Sequence, residues 1–262
     1  MLWAMGDRQG GSRNGRPAGS ARRAPRAALQ PGFGFDGAPD GRSVPRRFRP
    51  MVASPAPGPF DDPAYLFEPW WPGARVIAFV HAGRVRVQAD ELADVLDAFP
   101  ELSDLPPRLA ADEAVVEGTV VVLDPDARPD ARLLRARLAG DASAAPRPGR
   151  AGFVATDLLE LDGRRLRRAA FVERRERLVR LVETSDWCTV SRGYPGEGRE
   201  LAAAAADLGF SALSAHRLDA PYRAGPAGDA WLRVPIPGTP EPPARLPPFL
   251  AVFRRLPLDD AG

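Results

Sequence analysis

The chain has 262 residues, and its 36 basic side chains are all arginine, because the sequence contains no lysine. A guanidinium group stays protonated and cannot act as a nucleophile, which excludes chemistry through a lysyl intermediate. The hydrophobic content of 44% supports one core, and the single cysteine, Cys188, excludes an internal disulfide framework. No apolar run approaches the length of a membrane span, so we expect a soluble, cytoplasmic protein.

The N-terminal region differs from the rest in charge. Residues 1–50 hold ten arginines and three aspartates, a balance of +7, while the remainder holds 26 arginines and 31 acids, a balance of −5. With few large apolar groups, residues 1–48 are expected to form a disordered Arg/Gly/Pro-rich arm. Nonspecific binding of phosphates by this arm is one interpretation, but a solvated tail, or a stretch upstream of the start of translation, is the interpretation that we favour.

The first elements follow residue 74. Alternating apolar residues predict a β-hairpin from residues 75–80 and 84–88 around a short turn with Gly83. Residues 115–123 read as a buried strand, ended by the turn-forming residues 124–126. Residues 130–138 are expected to form a helix, with Asp130 as its N-cap.

The second half of the chain mixes strands and helices. Residues 152–161 predict a strand that closes at an Asp-Gly turn, and residues 171–183 predict the clearest helix. Phe171, Leu178, Leu181 and Val182 share one face of this helix, and Glu173–Arg177 and Glu176–Arg180 have the spacing of helical ion pairs. Further predictions are a helix over residues 199–208 that ends at Gly209, and strands over residues 210–215 and 231–234. Without strict βαβ alternation, the expected class is α+β.

The order of these segments resembles a known family. Residues 67–75 read Phe-Glu-Pro-Trp-Trp-Pro-Gly-Ala-Arg, which resembles the Glu-Pro-Lys-Trp-Asp-Gly-x-Arg segment in the adenylation domain of bacterial ATP-dependent DNA ligases. In that family the lysine attacks ATP to give a covalent lysyl-AMP. The lysine position is Trp70 here, and the aspartate position is Pro72. The resemblance makes Glu68 and Arg75 candidate nucleotide contacts.

Three further segments continue the resemblance. Residues 117–124 look like the Asp-Gly-Glu strand, with Thr119 at the glutamate position. Residues 156–164 look like the Phe-Asp-Leu-Leu segment, with Thr156 where an aromatic ring stacks on adenine. Residues 216–225 read His-Arg-Leu-Asp-Ala-Pro-Tyr-Arg-Ala-Gly, close to Lys-Arg-Leu-Asp-Ser-Pro-Tyr-Arg-Pro-Gly. There His216 replaces a phosphate-binding lysine, and Ser211 replaces a metal-binding glutamate.

The last matching segment is Trp-Leu-Arg-Val-Pro at residues 231–235, which resembles Trp-Leu-Lys-Val-Lys. Arg233 retains a positive charge at the position of the first lysine, whereas Pro235 has no charge at the position of the second. A family Arg-Asn-Gly turn corresponds loosely to Asp90, Glu91 and Leu92. The resemblance thus predicts an adenylation-like domain over residues 49–237 and a Pro-rich tail over residues 238–262, which is too short for the OB-fold domain of family ligases.

The replacements fall on chemical positions, while packing and turn residues persist. Adenylyl transfer needs an amine, a carboxylate-held metal and cations near the α-phosphate. Trp70 is interpreted as filling the space that ATP would occupy, although a stacking platform for a base or a peptide aromatic is an alternative. A lone histidine such as His216 is more typical of a pocket wall than of a phosphate contact or general base.

The leading hypothesis is a degenerate adenylation domain, without a catalytic residue, a required cofactor or a metal, that acts as a binding or scaffold module. Its expected partner is DNA or a DNA-repair protein, not a membrane. The second hypothesis is a ligase or nucleotidyltransferase that uses a non-lysine route or a partner chain. The third is an adenine-nucleotide sensor, which binds ATP or AMP without chemistry.

Overall fold

The computed structural model describes residues 48–89, 94–140, 149–240, 246–249 and 251–252. Asp90, Glu91 and Leu92, and the arm before Phe48, lie outside this part of the chain. The predicted α+β class is confirmed. The strands are β1 (Met51–Val52), β2 (Ser54–Pro55), β3 (Asp62–Pro69), β4 (Ala74–His81), β5 (Arg84–Ala89), β6 (Glu113–Leu123), β7 (Arg150–Leu161), β8 (Arg164–Arg165), β9 (Cys188–Val190), β10 (Tyr194–Gly196), β11 (Ala212–Arg217), β12 (Gly225–Pro226) and β13 (Trp231–Pro235).

The helices are α1 (Ala131–Ala139), α2 (Phe171–Leu181) and α3 (Gly198–Asp207), with two 3₁₀ turns at Pro100–Asp104 and Pro106–Arg108. The expected N-cap of α1 is confirmed, because the Asp130 carboxylate accepts the backbone N–H groups of Arg132 and Leu133. No helix in the described residues is both long and apolar enough to cross a membrane.

A six-stranded sheet forms the larger layer, in the order β5-β4-β6-β7-β8, and β9 pairs with β7 in parallel. The predicted hairpin of β4 and β5 is confirmed, and its turn residues Ala82 and Gly83 have φ angles of 47° and 73°. Strand β6 is apolar almost throughout because both faces of the sheet are covered. Alternate β6 residues therefore enter different cores, Val120 one core and Val121 another.

A five-stranded sheet, ordered β10-β3-β11-β13-β2, forms the second layer. Its inner face shares a core with α3 and one face of the larger sheet. Two parallel strands, β1 and β12, form a separate small ribbon. Strands β3, β11 and β13 are neighbours in this layer, so three of the segments that resemble ligase motifs come together there.

The packed domain extends beyond residues 49–237 at both ends. Phe48 is 6% exposed, and its backbone N–H donates to the Gln88 side chain over 2.8 Å. Part of the segment that we expected to be a tail also joins a core, since Leu246, Phe249 and Val252 are buried. These apolar side chains are packed although the sequence around them is rich in proline.

Candidate functional site

The side chains of Trp70 and Trp71 lie on opposite sides of the chain that leaves β3. The Trp70 backbone N–H donates to the Ala212 carbonyl over 3.0 Å, which holds this turn against β11. Trp71 is buried and contacts the rings of Phe210 and Phe249. Trp70 is half-buried and stacks on Trp231, with ring centroids 5.7 Å apart and an interplanar angle of 22°.

Trp70 is one end of a column of four rings, which we call the ring column: Trp70, Trp231, His216 and Phe171. Trp231 and His216 are 5.1 Å apart at 14°, and His216 and Phe171 are 4.3 Å apart at 11°. The Trp231 indole N–H donates to Ser214 Oγ over 2.7 Å, which fixes the ring. Trp231 and His216 therefore each stack against two other rings.

Two arginines lie over rings of this column. The guanidinium carbon of Arg75 is 4.5 Å from the Trp231 ring centroid, and that of Arg233 is 5.4 Å from the Trp70 ring centroid. These distances are typical of cation–π contacts. Both cations thus stabilise the packed rings.

Little free space remains next to the ring column. The cavity there has a volume of about 60 Å³, room for only a few water molecules at roughly 30 Å³ each. Sites for small-molecule ligands usually measure about 300–1,000 Å³. Its walls are formed by Pro69, Trp70, Trp71, Gly73, Arg75, Glu117, Thr119, Thr156, Ser214, His216 and Trp231.

Arg75 is held in place by three groups. Its Nε donates to Glu117 Oε1 over 2.6 Å, and its terminal nitrogens reach the Met51 carbonyl and, at 3.4 Å, the Tyr222 hydroxyl. The Tyr222 hydroxyl in turn donates to Glu117 Oε2 over 2.5 Å. Burial raises the pKa of Glu117, while Arg75 and Tyr222 oppose this shift. The guanidinium group thus serves to neutralise a buried carboxylate.

Glu68 lies on β3 next to the ring column and is 1% exposed. Its Oε1 is 2.9 Å from an Arg175 nitrogen, and its Oε2 is 4.0 Å from His216 Nε2. Burial raises the pKa of Glu68, against the opposing effect of Arg175. Burial, followed by Arg174, Arg175 and Arg75, lowers the pKa of His216 well below its usual value, so this ring is neutral at pH 7.

The sequence is similar to those of bacterial DNA ligases. The chain is 31% identical over 169 residues to the multifunctional non-homologous end joining DNA repair protein LigD of Mycobacterium tuberculosis, which covers 64% of the chain and 21% of that protein. It is 32% identical over 232 residues to a probable DNA ligase of Streptomyces avermitilis, which covers 83% of the chain and 44% of that protein. No protein-family model matches the sequence.

Solved structures give the same relationship. A mycobacterial DNA ligase D complexed with ATP and MES superposes with a TM-score of 0.60 at 28% identity, over 71% of this chain and 59% of that one. The ligase domain of M. tuberculosis LigD gives 0.58 at 28% identity, over 70% and 58%. The chain is a homologue of ATP-dependent DNA ligases and has their adenylation-domain fold. It spans about a fifth to a half of the length of the curated relatives.

Of the residues singled out by the ligase resemblance, five line the small cavity: Trp70, Arg75, Thr119, Thr156 and His216. The Thr156 hydroxyl is 3.3 Å from the Glu117 carbonyl, and Thr119 lies opposite Arg75 in the sheet. Glu68 and Arg233 contact the ring column from outside this cavity wall. Ser211 is buried, but it is not part of the wall, and its carbonyl accepts the Ile236 backbone N–H.

Several residues of this ligase-like site were not singled out from the sequence. Glu117 and Tyr222 lie within the motifs that carry the resemblance, and their hydrogen bond was not predicted. Arg174 and Arg175 follow Phe171 by three and four positions, so helical periodicity places them on its buried face. That spacing is the signal that identifies them. In the part of the chain that the structure describes, no group of three or more His, Cys, Asp or Glu side chains could hold a metal ion.

Proposed function

We propose that this chain is a non-adenylating member of the DNA ligase family and acts as a binding or scaffold module. The observation that carries the proposal is the ring column, in which Trp70 stands at the position of the family nucleophile and stacks on Trp231. The DNA-repair name of the relative LigD suggests a repair context. DNA or a DNA-repair protein is the proposed partner.

The chemistry of the side chains supports this proposal. A lysyl-AMP requires an amine that can lose its proton, and the sequence contains no lysine at any position. Arg75 is paired with Glu117, and His216 is neutral and stacked, so neither presents a free positive charge to an α-phosphate. The family metal positions are Thr119 and Ser211, neither of which is a carboxylate.

The small cavity favours the scaffold over the adenine-nucleotide sensor. A volume of about 60 Å³ is several times smaller than the roughly 300 Å³ at the lower end of ligand sites. A nucleotide would have to displace Trp70 and separate it from Trp231. The energy of burying that ring against its neighbours opposes such an opening.

The test is incubation of the folded full-length chain with radiolabelled ATP and Mg²⁺, followed by denaturing electrophoresis. We expect no covalent label, while an active ligase domain run in parallel becomes labelled. A Trp70→Lys variant should also remain unlabelled, because Pro72, Thr119 and Ser211 still replace the other chemical groups. Covalent AMP on the unmutated chain would refute the proposal, and would support the nucleotidyltransferase alternative.

A further inference from the structure

A short C-terminal segment contacts the residue next to Trp70. Residues 246–249 and 251–252, which we call the C-terminal latch, place Leu246, Phe249 and Val252 in the core shared by the two sheets. The Phe249 ring centroid is 5.4 Å from that of Trp71, and the Phe210 ring centroid is 5.3 Å from it. Phe249 therefore forms one wall of the site that holds Trp71.

Two polar contacts anchor the C-terminal latch to the loop after β6. The Phe249 backbone N–H donates to the Ala127 carbonyl over 2.6 Å, and Arg128 donates to the Leu246 carbonyl over 3.1 Å. On another side Phe249 and Pro248 border a pocket of about 500 Å³ that is open to solvent, since the exposed residues Arg150 and Asp186 also line it. The C-terminal latch therefore lies at the surface of the domain, and the way out for Phe249 leads to solvent rather than through other core residues.

Trp71 connects this segment to the ring column through the backbone. Trp70 and Trp71 are consecutive, and the Gly73 backbone N–H donates to the Trp71 carbonyl over 3.0 Å, so residues 70–73 form one turn. A Cβ at Gly73 would lie 2.3 Å from the Val120 carbonyl oxygen. This turn is therefore held close against β6. Displacing the Trp71 ring moves the backbone that positions Trp70.

We propose that the C-terminal latch controls the closure of the pocket by Trp70. When Phe249 is docked, it fixes Trp71 and keeps Trp70 stacked on Trp231. When it is released, the turn at residues 70–73 loses the contact of Trp71 with Phe249 and the small cavity opens. This inference rests on the proposed function, since it takes the closed pocket as the ground state, and it adds a means of opening it.

Thiol labelling in the full-length chain tests the coupling. Ser214 is 8% exposed and lines the small cavity, so a Ser214→Cys side chain reacts with dithiodipyridine when the ring column opens. The substitution also weakens the hydrogen bond from Trp231, so rates are compared only among chains that all carry Ser214→Cys. Cys188 is buried, and the chain without Ser214→Cys gives its background. In the Ser214→Cys chain, the additional change Phe249→Ala should speed labelling of the new thiol by about tenfold or more, as expected for local opening.

The matched control is Leu102→Ala, a core truncation with a similar loss of stability in the other core of the larger sheet, in the 3₁₀ turn at Pro100–Asp104 and away from α2. It should leave the labelling rate close to that of the Ser214→Cys chain. Equal rates in the two variants, or no acceleration by Phe249→Ala, would overturn the latch. If Phe249→Ala does not fold, Val252→Ala releases the same segment and is judged in the same way. Labelling does not depend on whether AMP attaches to the chain, so it is independent of the adenylation assay.

Discussion

At the scale of one residue, substitution of Trp70 tests the ring column. Trp70→Ala removes a half-buried ring, and we expect the free energy of unfolding to fall by about 3 kcal/mol. Indole should restore part of this loss, because an apolar cavity shaped for a ring binds a ring, and binding to the folded state stabilises it. Urea titrations with and without indole measure both effects. Val116→Ala is the control, since the loss of two methyl groups from this buried residue leaves too little space for indole. An equal indole effect in both variants would contradict the prediction.

His216 gives a pH-dependent prediction. Burial lowers its pKa well below 6.5 in the folded chain, so as the pH falls the unfolded chain takes up a proton there before the folded chain does. The stability from this residue is present above about pH 6.5 and is lost as the pH falls.

In the unmutated chain, the free energy of unfolding should therefore fall more steeply between pH 7 and pH 5 than in His216→Phe. Denaturant titrations at several pH values check the difference. Glu68, whose raised pKa acts in the opposite direction, is common to both chains. His81→Gln is the control and should retain the loss. Parallel curves for the unmutated chain and His216→Phe would show that this ring titrates normally.

The sequence predicts which residues meet in the site, but it does not predict the contacts that they make there. The order of the ligase-like motifs brings Trp70, Arg75 and His216 to one cavity. It does not predict that His216 lies between Phe171 and Trp231, because Phe171 comes from a helix outside all the motifs. Nor does it predict the partners of Arg75, which depend on how β1 and β6 are placed in space.

At the scale of elements, α2 holds the two sheets together through adjacent arginines. Arg174 makes two 2.8 Å hydrogen bonds to Asp157 on β7, and both side chains are about 1–2% exposed. Arg175 reaches Glu68 on β3. The two ion pairs point in different directions, one to each sheet, so α2 fixes the layers on either side of the ring column.

Arg174→Met should therefore destabilise the chain by about 3–5 kcal/mol, because Asp157 is left buried without its partner. The double variant Arg174→Met, Asp157→Leu should recover at least half of this loss. Guanidinium titrations of the single and double variants provide the measurement. Arg180→Ala, on the exposed face of α2, is the control and should change stability by less than about 0.5 kcal/mol. A double variant as unstable as the single one would refute the pairing.

Elements with a clear apolar period are predicted correctly from the sequence, and irregular ones are not. The β4–β5 hairpin, β6, β7 and α2 agree with the predicted segments within a few residues. Strand β3 begins with Asp62 and Pro63 and ends at Pro69, and β10 contains Pro195, so neither resembles a regular strand. Both are edge or terminal pairings, where proline is tolerated and tertiary contacts decide the structure.

At the scale of the whole molecule, the domain is closed by chain segments at both ends. Phe48 contacts Tyr222, whose hydroxyl hydrogen-bonds Glu117, and Phe249 contacts Trp71. Composition alone assigns both segments to tails, because proline and arginine dominate around them. Single large apolar residues in such stretches become core residues when the folded body offers a complementary surface, and that surface is not visible in the sequence.

The filled site leads to a prediction for the complete chain with adenine nucleotides. A ligand at 100 times its dissociation constant adds about 2.7 kcal/mol to the free energy of unfolding, which shifts the midpoint of a chain this size by several degrees. We expect ATP with Mg²⁺, or AMP, to leave the thermal midpoint unchanged, because the ring column occupies the space that an adenine ring needs. Phe249→Ala, with the C-terminal latch released, should gain at most a small shift. A clear shift in the unmutated chain that disappears in Glu68→Ala would instead identify the protein as a nucleotide sensor, and would show that Trp70 yields to adenine.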